Sequence, residues 1–197
     1  MKKLLLLLSG NAIMAFGTAV CKFTGLGIDP FNAFCVAISN ILNVPLGTVV
    51  VTCHGIIGII IFICKRENIG LGTVIPMVVL GYLFQLFNWL IPQFLPTGLN
   101  LVLNVMLFIA GMLVMAFGTA LYIECKMGML PYDSVAFTLN DYFKRTPSLY
   151  RVILDSLVAV IALLLGGPIN IGTIAFAVSV GPLIDFFHRH WLRRLAF

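Results

Sequence analysis

The chain contains the same six residues twice. Met-Ala-Phe-Gly-Thr-Ala occupies positions 14–19 and returns unchanged at positions 115–120, an offset of 101. The same offset, reduced to 100 after position 68, pairs further glycines and prolines of the two halves: Gly10 with Gly111, Gly27 with Gly128, Pro30 with Pro131, and Gly72-Thr73 with Gly172-Thr173. Self-similarity at a fixed spacing is typical of repeated structural units. We therefore interpret residues 1–197 as one domain made of two repeats, 1–92 and 101–197.

The composition indicates a membrane protein. Hydrophobic residues make up 61% of the chain and charged residues 10%, which is more apolar surface than a soluble domain of this size can bury. The twelve Lys and Arg residues outnumber the seven Asp and Glu residues, but they lie in short clusters between apolar runs, which favours orientation in a bilayer over nucleic-acid binding. The five cysteines form no C-x-x-C pair, so we expect no disulfide framework, metal or cofactor.

Each repeat has one long apolar run, one short helix and two further runs: about 4–22, 30–42, 46–64 and 71–91 in the first, and about 101–123, 131–143, 147–166 and 171–188 in the second. A glycine shortly before a proline predicts a bend followed by an abrupt helix start at Pro30 and at Pro131. These short helices have about 13 residues, fewer than the roughly 20 that a bilayer crossing needs. Each is either a re-entrant half-helix or a short tilted span.

The basic residues discriminate between the two topologies. With a cytoplasmic N-terminus and three crossings per repeat, all twelve except Lys22 lie at the cytoplasmic side. Four crossings per repeat would move Lys65, Arg66 and Lys126 outside, against the positive-inside rule. We therefore predict an all-α polytopic protein of the cell membrane with cytoplasmic termini. It would have two inverted repeats, each of three transmembrane helices and one short re-entrant helix; eight helices in two parallel repeats remain the alternative.

The paired helix starts predict a binding site. Irregular backbone inside a bilayer persists only where protein buries it or water reaches it, so the two breaks indicate a cavity between the repeats. Asp133 is the strongest ligand, although an acid at a helix start can also accept backbone N–H bonds. The expected site for a substrate or ion comprises the residues at both starts and two helix hydroxyls: Pro30, Asn32, Pro131, Tyr132, Asp133, Thr18 and Thr119.

Two further pairs of equivalent positions are polar within apolar runs. Asp155 is equivalent to His54, and Asp185 is equivalent to Gln85. Ionisable groups in spans cost several kcal/mol and are therefore functional candidates, here for coupling. Arg151 lies one turn before Asp155, which leaves a structural ion pair as the alternative. Asp185 lies close to His188, Arg189 and His190, which favours a structural pairing there.

The glycine and proline motifs carry a resemblance. Gly-x-Gly-x-x-Pro at 25–30, Gly-x-x-Pro-Tyr-Asp at 128–133, the Gly-Thr pairs at 72–73 and 172–173, and Gly181 with Asp185 resemble the YczE/YyaS/YitT group of small bacterial integral membrane proteins. The first repeat departs from this pattern with Phe31-Asn32, and the second with Lys126. The resemblance implies a multi-pass membrane protein with a transport-related function and no stated substrate.

A secondary transporter or facilitator for a small polar or cationic solute is the leading hypothesis, with a channel and a non-transporting accessory membrane protein as alternatives. No Gly-x-Ser-x-Gly motif or cluster of metal-ligating histidines is present in the spans, so we expect no enzyme. The expected partners are a small solute or ion and the lipid bilayer, without nucleic acid, and a homo-oligomer is left open.

Overall fold

The computed structural model describes residues 2–64, 71–96, 98–125, 127–144 and 146–192. Within these ranges the regular structure is helical. The helices are α1 (Lys2–Phe23), α2 (Pro30–Leu42), α3 (Leu46–Cys64), α4 (Leu71–Phe94), α5 (Leu101–Glu124), α6 (Pro131–Phe143), α7 (Pro147–Leu164) and α8 (Ile171–Phe187), followed by a π-helical turn at His188–Leu192. The predicted all-α architecture and the predicted bounds of α2 and α6 are confirmed.

The short helices α2 and α6 begin and end in the same way. Each has proline in its first turn, where the missing N–H costs nothing. Each follows a glycine with positive φ, 125° at Gly27 and 121° at Gly128, which a side chain would strain. Each ends in a left-handed residue, Asn43 with φ 53° and Lys144 with φ 52°. The duplication therefore extends to backbone conformation.

Helices α1 and α5, which are equivalent in the two repeats, cross in antiparallel directions through their glycines. A Cβ atom built on Gly17 would lie 2.6 Å from the carbonyl oxygen of Gly111, and one built on Gly118 would lie 2.7 Å from that of Gly10. Only residues without a side chain allow two helix backbones to approach this closely. Gly10 of α1 thus lies beside Gly118 of α5, and Gly17 of α1 lies beside Gly111 of α5.

The other helices make contacts both within and between the repeats. Helix α1 packs on α4 and α5 packs on α8 within each repeat, whereas α2 packs on α7 and α3 packs on α6 across them. The loop before α2 is also held by the other repeat, because Gly172 donates its N–H to the carbonyl of Leu26 at 2.9 Å. The repeats thus share one core, and the starts of α2 and α6 lie inside it.

The outer surface is apolar. In the described part of the chain, five helices, at Lys3–Phe23, Leu46–Cys64, Thr73–Phe94, Leu101–Glu124 and Ile171–His190, are long and apolar enough to cross a membrane. Helix α7, predicted as a sixth span, is not among them and carries Arg151 and Asp155. Large apolar side chains remain exposed on these helices, including Ile63, Trp89, Leu101 and Ile171. Exposed apolar surface of this extent needs lipid. The chain is a multi-pass membrane protein.

Candidate ion-binding site

The starts of α2 and α6 meet inside the protein. The ring of Phe31, the second residue of α2, lies 4.6 Å from the ring of Tyr132, the second residue of α6. Phe31 also lies 4.4 Å from the imidazole of His54. The two helix starts that the sequence assigned to one site are therefore in contact, through two aromatic side chains at equivalent positions.

Asp133 is 3% exposed and accepts two hydrogen bonds from other helices. The hydroxyl of Tyr122 on α5 donates to one carboxylate oxygen, and the guanidinium of Arg151 on α7 donates to the other. Leu130 occupies the N-cap position of α6, and its side chain makes no capping hydrogen bond. The carboxylate of Asp133 thus connects three helices of the second repeat, rather than serving as a local helix cap.

Arg151 also forms an ion pair with Asp155. Its Nε atom lies 3.3 Å from Oδ2 of Asp155, one turn later on α7. The other oxygen of Asp155 accepts from the hydroxyl of Tyr132 at 2.5 Å, and the guanidinium lies 5.3 Å from the centre of the Tyr132 ring. The ion pair that the sequence left as an alternative is present, but Arg151 divides its donors between two acids.

Asp29 also belongs to this site, although it is not among the residues predicted from the sequence. Asp29 caps α2: its Oδ1 accepts from the backbone N–H of Asn32 at 3.0 Å, and its Oδ2 accepts from the Asn32 side chain at 2.8 Å. It is 7% exposed and lies within electrostatic reach of Arg151 and Asp155. An Asp directly before a proline at a helix start is a cap signature, so this role was detectable from the sequence.

A cavity of about 70 Å³ reaches this cluster. It is lined by Asp133 and Arg151 of the cluster and by Gly181, Ile184 and Asp185 of α8, among others. Asp185 is exposed, so the cavity opens at this residue, and we call this opening the α8 mouth. The volume has room for a few water molecules or a small ion, since one water needs about 10–15 Å³ of such space.

The charged groups belong almost entirely to the second repeat. Asp133, Arg151 and Asp155 have Asn32, Val50 and His54 as their equivalents in the first repeat. His54 is 2% exposed, and within the described chain neither of its ring nitrogens has a hydrogen-bond partner. One repeat therefore carries the ionic network, while the other presents an amide, an aliphatic side chain and an unpaired imidazole.

The structure places the other predicted residues outside the ionic cluster. The hydroxyls of Thr18 and Thr119 bond to the backbone of their own helices, at 3.0 Å to Met14 and at 2.9 Å to Met115. Pro30 and Pro131 are buried in the first turns of their helices.

Among the predicted coupling residues, Gln85 accepts from the backbone N–H of Gly47 at 2.8 Å. Of the three basic residues expected near Asp185, His188 pairs instead with Glu124 at 2.7 Å.

Tyr122 was also missed by sequence analysis. Nothing in its spacing marks it, because its contact with Asp133 joins the last turn of α5 to the first turn of α6. Its equivalent in the first repeat is Cys21.

The sequence of the chain matches a known protein family. A family of unknown function, DUF6198, matches residues 1–189. The chain belongs to this family. It is similar to an uncharacterized protein of Haemophilus influenzae, 27% identical over 94% of this chain and 83% of that protein.

Two Bacillus subtilis proteins confirm the resemblance drawn from the sequence motifs. The uncharacterized protein YyaS is 29% identical over 94% of each chain. The uncharacterized membrane protein YczE is 33% identical over 45% of this chain and 42% of its own length. No solved structure matches.

Proposed function

We propose that this protein is a secondary transporter for a small polar or cationic solute, with its binding site at the Asp133–Arg151–Asp155 cluster. The observation that carries the proposal is an excess of buried carboxylates in the cluster that the cavity reaches at Asp133. Asp29, Asp133 and Asp155 are all buried. Within the described residues one guanidinium, that of Arg151, pairs with Asp133 and Asp155 and lies within electrostatic reach of Asp29.

An excess of buried carboxylates requires compensation. With all three acids ionised, the cluster carries two negative charges beyond those that Arg151 balances. Each uncompensated ion in a low-dielectric interior costs several kcal/mol. Protons or a bound cation remove that cost, and the cavity from Asp185 provides a path for either. A site that exchanges a proton for a cation is the simplest chemistry for this arrangement.

We propose the inverted-repeat topology for the same protein, with α2 and α6 as re-entrant helices and both termini in the cytoplasm. The antiparallel crossing of α1 and α5 supports it, because equivalent helices of two parallel repeats would run in the same direction. The basic residues support the orientation. In this arrangement the α8 mouth faces the cytoplasm.

The binding claim can be tested with named cations. Purified protein would be heated in the presence of sodium, potassium, ammonium, methylammonium or guanidinium ions, at matched ionic strength and several pH values. A cation that binds only the folded state must raise the apparent unfolding temperature. We expect at least one to do so in the wild type and none in Asp133→Asn. Equal shifts in both proteins would contradict binding at this cluster.

Asp185→Asn is the matched control. Asp185 lines the same cavity but is exposed and stands apart from the Arg151 ion pairs. Removing its charge tests whether cation binding needs Asp133 in particular or only some carboxylate at the cavity. We expect the cation-induced shift to persist in this variant.

A further inference from the structure

We infer that the protein has a second access route to the same cluster, closed in this structure and related to the α8 mouth by the repeat. This inference rests on the proposed transport function, for which a site must open alternately to two sides. It is carried by a difference between the repeats at equivalent positions of α3–α4 and α7–α8.

In the first repeat, α3 and α4 are closed against each other. A Cβ atom built on Gly81 would lie 2.8 Å from the carbonyl oxygen of Gly47 and 3.3 Å from the Cβ of Val50. Gln85 adds a hydrogen bond to the Gly47 N–H at 2.8 Å. Val50 is fully buried as a result. We call this contact the α3–α4 gate.

In the second repeat, the equivalent contact is open. A Cβ atom built on Gly181 would meet no other atom within 4 Å. Gly181 instead faces the cavity together with Arg151, the equivalent of Val50. Gly181 of α8 is thus the equivalent of Gly81, which permits the close helix contact at the gate, but Gly181 makes no such contact in this structure. In another conformation, Gly181 would allow α7 and α8 to approach each other closely.

A second cavity is lined by α1 and by α4, the helix that forms one side of the gate. It has a volume of about 160 Å³ and is lined by Lys22 of α1 and by Asn88 and Pro92 of α4, among others. Phe84, which is 1% exposed, lies beside it, with the ammonium of Lys22 6.0 Å from the centre of its ring. Phe84 is the equivalent of Ile184 at the α8 mouth. Lys22 is in turn the equivalent of Ile123, which lines the cavity at the α8 mouth, so the two cavities are lined at one pair of equivalent positions.

The two cavities lie at opposite ends of the protein. Lys22 is near the end of α1 and Ile123, which lines the α8 cavity, is near the end of α5. Because α1 and α5 cross antiparallel through their central glycines, their ends point in opposite directions. Exchanging the conformations of the two repeats would close the α8 mouth at Gly181 and open the α3–α4 gate at Gly81. Asn32, equivalent to Asp133, would then line the second route.

Cysteine accessibility tests this inference without a known solute. Single cysteines would replace Val50 at the gate or Ile184 at the α8 mouth in a cysteine-free protein, and a membrane-impermeant thiol reagent would be applied to each face separately. We expect Ile184→Cys to react from the face of the α8 mouth. Val50→Cys should react more slowly and only from the opposite face, in proportion to the population of the exchanged conformation.

A second substitution, Gly181→Leu, should prevent the exchange. The added side chain has space in this structure but would collide with α7 if the helices closed. We expect it to lower the labelling rate of Val50→Cys at least about tenfold, because labelling follows the population of the open gate. The control is Gly55→Leu, at a glycine with equally open surroundings, which should leave that rate unchanged.

Three results would overturn the inference: no labelling of Val50→Cys from the opposite face, labelling from the face of the α8 mouth, or an equal rate with and without Gly181→Leu. These results leave the cation-binding test at Asp133 unaffected. Conversely, loss of cation binding with intact exchange would contradict the proposed function and not this inference.

Discussion

Arg151 donates a hydrogen bond to Asp133, a residue 18 positions earlier in the chain and on a different helix. The same guanidinium pairs with Asp155 within α7. Arg151 is 16% exposed and borders the cavity, so this partner of the buried acids also faces the route to solvent. A solute cation that reaches Asp133 must compete with this guanidinium.

Removing the charge of Asp133 should separate binding from folding. In Asp133→Asn, the side-chain oxygen can still accept from Arg151, and the amide can donate to the hydroxyl of Tyr122. We expect a folded, inserted protein that elutes as the wild type does in size-exclusion chromatography. Calorimetric titration with the cation that stabilises the wild type should show no binding heat. Aggregation of this variant would indicate that Asp133 is required mainly for stability.

The Arg151 ion pairs predict unequal effects of their two partners. Arg151→Gln leaves two hydrogen-bonded carboxylates without their cation, whereas Asp155→Asn leaves Arg151 still paired with Asp133. We expect Arg151→Gln to lower the free energy of unfolding by about 3–5 kcal/mol, as for other broken buried pairs, and Asp155→Asn to lower it by less. Unfolding in a denaturing detergent would measure both.

The double variant gives the decisive comparison for Asp155. If Asp155 only neutralises Arg151, combining Asp155→Asn with Arg151→Gln should restore both stability and solute binding. If Asp155 carries a proton or cation, stability should recover while binding remains lost. We expect the second result. Restored binding in the double variant would remove Asp155 from the coupling site.

The glycine crossing of α1 and α5 should tolerate no side chain. Gly17→Leu places atoms where the backbone of Gly111 and Met115 already lies, so the helices must separate. We expect a loss of about 1–3 kcal/mol, the usual cost of overpacking a core, seen as a lower unfolding temperature. Gly55→Leu, with no neighbouring atom within 4 Å of its Cβ position, should unfold at the wild-type temperature.

The proposed topology predicts which loops react from which side. Glu67, which lies outside the described residues, should after replacement by cysteine react with an impermeant thiol reagent only from the cytoplasm. Gln93→Cys should react only from outside. The reason is the cytoplasmic clustering of all basic residues but Lys22. Labelling of position 67 from outside would contradict three crossings per repeat and favour eight spans.

The helices were predictable from the sequence because local signals mark them. Pro30 and Pro131 fix the starts of α2 and α6, and the apolar runs set the lengths of the long helices. The meeting of Phe31 with Tyr132 also followed from the duplication, since equivalent breaks in two interlocking repeats must be buried together.

The partners within the site were harder to predict. Tyr122 and Arg151 reach Asp133 from α5 and α7, and these contacts depend on the tertiary arrangement of three helices, which no local pattern encodes. The pairing of His188 with Glu124 rather than Asp185 is a similar case, because the terminal π-helical turn packs against α5. The sequence favoured a pairing of Asp185 with basic residues that follow it closely along the chain. Tertiary packing instead places Glu124 of α5 against His188.

The central claim, that the buried acids hold an exchangeable proton or cation, is tested most directly by infrared difference spectroscopy of their carboxyl groups. The account predicts a protonated carboxylic acid band in the wild type at neutral pH without added solute. The band should shrink when a binding cation is added, persist in Asp185→Asn and change in Asp133→Asn. Absence of the band in the wild type, or a band unaffected by every cation in the panel, would contradict the account.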